Sequence, residues 1–161
     1  MDDIPWHEAL FDTFEATAIG TVVRESIWAF PIIEAAHLLG LCLMGGALLI
    51  VDLRMIGIGM TGRRIHELSR YARPWLIAGF LLMVLTGVPM FLSEAIKAYF
   101  NRSFWVKMIT LPFALLFTFG VRERMAKNEE LQTSGRTRLV GAISIALWFV
   151  VAAAGRWIGY S

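Results

Sequence analysis

Glu34 and His37 are the residues whose types and spacing most directly offer chemistry. They lie three apart inside the apolar stretch IWAFPIIEAAHLLGLCLMGGALLIVDLR, residues 27–54. On a helix that spacing places carboxyl and imidazole on one face. Ionisable groups at membrane depth are expensive, so they face a protein interior, a partner or a ligand. At about 1.5 Å per residue, His37 falls roughly 15 Å from Ile27, close to the midplane of a bilayer. Three chemistries suit the pair. An imidazole between bundled helices can ligate haem iron. Glu34 and His37 together can form a copper or proton relay. Alternatively the imidazole only hydrogen-bonds a neighbouring helix while Glu34 stays protonated. A dinuclear iron site is disfavoured, because such bundles use two E-x-x-H pairs and two further glutamates, and this chain offers one such pair.

The haem b reading sets requirements on the rest of the chain. A flat, wide ring needs small residues around it, and Gly40, Gly45 and Gly46 follow His37. A second apolar stretch offers Gly79, Met83, Thr86, Gly87 and Met90 at helical spacing. Counted from opposite ends of antiparallel spans, Met83 falls near the depth of His37, and a His/Met iron is chemically reasonable. The competing reading is that Met83 fills core space and the glycines only let helices approach. Arg24, Lys107 and Arg156 lie near one interface, where cations can meet haem propionates or lipid headgroups. His7 and His66 are the other imidazoles, and so the other candidate metal ligands. Three histidines are one short of two bis-histidine haems, so a second haem would need a Met, a Lys, an open position or another subunit.

These residues must be positioned by helices. The chain has 161 residues, of which 57% are hydrophobic, and a mean hydropathy of +0.62. A soluble domain averages nearer 45–50% apolar. The excess sits in four apolar segments, at about residues 27–53, 74–95, 104–121 and 139–160. The fold class expected is all-α: a single membrane domain, a four-transmembrane-helix bundle. Pro74 suits the start of the second span, and Pro89 and Pro112 predict bends. Residues 5–18 predict an N-terminal interfacial amphipathic helix, with Trp6, Leu10, Phe11 and Phe14 on one face and Gly20 breaking it. The acidic start lacks a basic region before an apolar one, so it does not read as a signal peptide.

Charge sets the orientation. The loop after the first span carries Arg54, Arg63, Arg64, Arg70 and Arg73, and the loop after the third carries Arg122, Arg124, Lys127, Arg136 and Arg138. The other side has Arg24, Lys97, Arg102, Lys107 and Arg156, several of them within span ends. The basic loops belong in the cytoplasm and both termini in the periplasm of a bacterial inner membrane. Asp52 and Arg54 are expected to pair locally. No basic cluster is interleaved with aromatics, which argues against nucleic acid as a partner. Cys42, the single cysteine, cannot form an intrachain disulfide. Gly141, Ser144, Trp148, Ala152 and Gly155 form a small-residue face that predicts a homo-oligomer.

The runs RESIWAFPIIEAAHLLG and VDLRMIG, then RPW with GF, and then FWVKM resemble a family of uncharacterised four-span bacterial inner-membrane proteins. That family is distantly similar to copper-resistance-D-type and b-type cytochrome membrane bundles. The resemblance covers about residues 23–160 and is most specific in the first span. It implies a four-helix membrane bundle with a histidine at His37 and a lysine at Lys107, and it associates such bundles with haem b or copper. It carries no enzymatic activity with it. The function expected is electron transfer within or across the membrane through haem b at His37, with a redox partner protein or quinone. The alternatives are a copper- or proton-handling transporter using Glu34 and His37, and a structural subunit without cofactor.

Overall fold

The computed structural model describes residues 6–127 and 134–160. Among them every regular element is a helix. Two short helices, α1 (Trp6–Glu15) and α2 (Ala18–Glu25), lead into α3 (Ala29–Ile56). Then come α4 (Ile65–Ser93), the six-residue α5 (Ala95–Phe100) and α6 (Arg102–Phe117). A π-helical turn, Thr118–Arg122, joins α6 to α7 (Glu123–Lys127). The last helix is α8 (Gly135–Ile158). Four helices, Ala29–Ile56, Ile65–Ser93, Arg102–Lys127 and Gly135–Ile158, are long and apolar enough to cross a membrane.

The boundaries differ from the sequence expectation in instructive ways. The second long helix begins at Ile65, so Pro74 lies inside it. The added first turns are held by packing: Ile65 and Leu68 bury against Val51, Met55 and Ala126. The chain breaks at Ala16 and Thr17, not at Gly20, because Thr17 caps α2 by accepting the Gly20 N–H at 3.3 Å. Gly20 instead lies within α2, where any Cβ would strike the Leu92 carbonyl of α4. Helix α3 ends at Gly57, whose φ of 95° is the left-handed conformation that glycine adopts freely.

Helix α3 packs along α4 and against α8, and α6 packs against α8. The α3–α4 seam is the tightest. A Cβ on Gly79 would sit 2.5 Å from the Met44 nitrogen and 2.8 Å from the Gly40 carbonyl oxygen, so only glycine permits this backbone approach. Helices α4 and α6 are bridged by aromatic side chains at one end, where Phe91 stacks on Phe104 at 5.6 Å. Helix α1 lies over that end through Phe11 and Phe14, each against Phe91. It is fastened by Glu15, whose carboxylate accepts the Ile96 N–H at 2.9 Å and pairs with Arg24 at 3.1 Å. Asn101 caps α6 and donates to the Ile158 carbonyl of α8.

Candidate functional site

His37 lies on α3 and faces α4. Its Nδ1 is 2.8 Å from the Thr86 hydroxyl oxygen, and its Cε1 approaches Gly87 so closely that a Cβ there would be 3.2 Å away. The Thr86 hydroxyl is also 2.6 Å from the Leu82 carbonyl oxygen. Two oxygens at that separation need a proton between them, so the hydroxyl donates to Leu82. Thr86 then accepts from His37, which assigns the imidazole proton to Nδ1. Among the described residues no side-chain hydrogen bond to Nε2 accompanies the one at Nδ1. An imidazole so fixed in tautomer and orientation is suited to ligate a metal or accept a proton at Nε2.

Lys107 is the second notable group at this depth. It is half-buried on α6. Its ammonium reaches α8 beside Gly155, 3.6 Å from where a Cβ would stand. Neither a carboxylate nor a hydrogen-bond acceptor in the described residues meets it. The other two candidate cations are engaged elsewhere. Arg24 pairs with Glu15, and Arg156 donates to the Tyr160 hydroxyl while lying over its ring.

The remaining candidates are dispersed. Glu34 is exposed on α3, while His37 is half-buried. Met83 packs over Gly40 beside the Met44, Ala47, Leu48 and Leu76 cluster. His7 bonds the Tyr99 hydroxyl at 2.8 Å and stacks on its ring, so it belongs to the α1–α5 contact. His66 stands in the first turn of α4. Among the described residues no group of three His, Cys, Asp or Glu could hold a metal ion.

A second polar centre lies about 22 Å further along α3, at about 1.5 Å per residue. Asp52 does not pair with Arg54, which instead donates to the Arg63 carbonyl. Its carboxylate accepts from Arg122 at 2.5 Å and from the Ser144 hydroxyl at 2.6 Å. Arg122 also donates to the Leu48 carbonyl. The π-helical turn delivers Arg122 into the bundle, and Trp148 fastens that turn by donating to Thr118 at 2.9 Å. The small-residue face of α8 is therefore turned inward: Gly141 lies on the Asp52 carbonyl, Ser144 bonds Asp52 and Gly155 lies under Lys107. The sequence signal for this centre was Asp52 itself, the one carboxylate late in an apolar helix. Arg122 was hidden because it follows the apolar run and reads as a loop cation.

Fold and site together define, among the described residues, an all-helical bundle with the length and apolarity to cross a membrane four times, carrying two polar centres on α3, at His37 and at Asp52. The chain belongs to a family of unknown function, DUF6644, whose match spans residues 6–161. No curated protein and no solved structure matches it.

Proposed function

We propose that this chain is an integral protein of the bacterial inner membrane that binds haem b through Nε2 of His37 and passes electrons within or across the membrane. The observation that carries the reading is the Thr86 hydroxyl, which holds the Nδ1 proton and leaves Nε2 as an open ligand atom. His37 would supply the iron with one nitrogen donor. The glycines expected to make room for the ring do not do so: Gly40 and Gly79 meet across the α3–α4 seam, so a ring held by Nε2 would have to lie outside that helix pair. Bound haem supplies a one-electron carrier. Thr86 orients the imidazole, and the Lys107 ammonium would offset the charge of a haem carboxylate. Arg24 and Arg156 flank that end of the bundle, with both termini periplasmic and α1 lying in the interface. A redox protein or quinone is the partner; a homo-oligomer that brings carriers together would have to form through another surface than the small-residue face of α8, which packs inside the bundle.

The test is haem content. Full-length protein purified from haem-replete cells should carry about one haem b per chain. A folded, colourless preparation overturns the reading. In the copper or proton alternative, exposed Glu34 is as necessary as His37. Measured copper content or transport lost completely in both Glu34→Gln and His37→Ala would establish that alternative. The haem reading requires instead that haem be lost in His37→Ala and kept in Glu34→Gln.

A further inference from the structure

An open groove of about 350 Å³ runs along the outside of the α3–α4 pair. Its walls are Cys42, Leu43, Ala47 and Ile50 on α3 and Leu68, Tyr71, Ala72 and Trp75 on α4. From Cys42 to Ile50 it extends about 12 Å along the helix axis. It lies in the half of the bundle nearer the α3–α4 loop.

The groove is apolar along its length and basic at its loop end. Arg64 is the N-cap residue of α4, four residues before Leu68 of the groove wall, and so stands at the groove's loop end. Arg70 reaches the same place from the side, with its guanidinium 5.5 Å from the centre of the Tyr71 ring. Both arginines are exposed. Glu67 is the one carboxylate in this turn. Tyr71 and Trp75 are exposed as well, at 68% and 57%. Aromatic rings of this kind favour the headgroup level of a bilayer. An apolar trough that ends in aromatic rings and two guanidinium groups is complementary to an amphiphile with one negative charge.

We propose that this groove is a binding site for one anionic phospholipid of the leaflet at the α3–α4 loop. The acyl chain lies along Cys42, Leu43 and Ile50, and the phosphate meets Arg64 and Arg70. Arginine forks match phosphate oxygens, and each basic group near an anionic membrane surface adds to the attraction. The site is separate from His37 and does not depend on haem.

Native mass spectrometry of the full-length protein in mild detergent tests it, with phosphatidylglycerol and phosphatidylcholine of identical chains added in turn. One phosphatidylglycerol should be retained roughly ten- to thirty-fold better, and Arg64→Gln with Arg70→Gln should erase the preference. Cys42→Trp, which fills the groove, should lower retention of both lipids. Chain placement has its own readout. Phosphatidylglycerol brominated on the acyl chain should quench tryptophan emission, and Trp75→Phe should remove a large share of that quenching. Equal retention of the two lipids, a preference unchanged without the arginines, preferential retention of an added quinone, or quenching indifferent to Trp75 would each overturn the proposal.

Discussion

The Asp52 carboxylate on α3 accepts the Nε–H of Arg122 across the bundle at 2.5 Å, and neither side chain is more than 3% exposed. Opposite charges so deeply enclosed stabilise a fold only as a satisfied set, and here Ser144 and the Leu48 carbonyl complete it. Removing one partner strands the other. Asp52→Leu or Arg122→Met alone should therefore cost about 3–5 kcal/mol, and the two together much less than the sum. Unfolding of the four proteins in one detergent measures this as a double-mutant cycle. Additive losses would mean that the pair is not coupled.

Gly79 faces the Met44 nitrogen at a distance that admits no side chain. Gly79→Ala should force α3 and α4 apart and lower stability by about 1–3 kcal/mol. Gly45→Ala is the control, because a Cβ at Gly45 meets nothing within 4 Å. That change should be neutral or stabilising by up to about 1 kcal/mol, as alanine favours the helix. Thermal unfolding of the two variants side by side decides the matter.

How much of this was legible in the sequence follows from what each residue needed. The four apolar helices were readable because length and hydropathy are local properties. His37 stood out because an imidazole deep in an apolar run must face a protein interior, a partner or a ligand, and the helix-to-helix bond it makes to Thr86 was one of the readings this allowed. Its partner Thr86 was noticed only as a small residue beside the glycines, since a hydroxyl's bond to a ring forty-nine positions away leaves no local trace. The Asp52 partner was misread for the same reason. Arg54 is near in sequence, whereas Arg122 reaches Asp52 only after the π-helical turn redirects its helix. The inward face of α8 was readable as small residues at helical spacing, but spacing alone does not say whether a neighbouring helix or a second subunit covers it.

Thr86 makes a distinct prediction. Thr86→Val keeps the shape but removes the acceptor of the His37 Nδ1 proton. Haem affinity should fall roughly 10–100-fold, and the spectrum of what remains bound should shift, as when the outer hydrogen bond of a ligating histidine is lost. Thr86→Ser should restore both. Haem titration followed by absorbance separates these outcomes from a general loss of folding, which would affect unfolding temperature and haem affinity together.

Lys107 predicts a charge effect without a ligand effect. Lys107→Met preserves the long apolar stem beside Gly155 and deletes the ammonium. In the haem reading the protein should still bind the group, and its reduction potential should fall because a positive charge that favours the electron has gone. A potentiometric titration of the variant against the wild type reads the sign directly. An unchanged potential would place Lys107 among the lipid-anchoring residues instead.

The central claim rests on one atom, Nε2 of His37, and the reduced-minus-oxidised absorbance spectrum of purified wild type and His37→Ala tests it most directly. The account predicts a Soret shift and an α-band in the wild type. It predicts their loss in His37→Ala while circular dichroism shows the helices unchanged. A wild type without these bands, or a His37→Ala protein that keeps them in full, would contradict it.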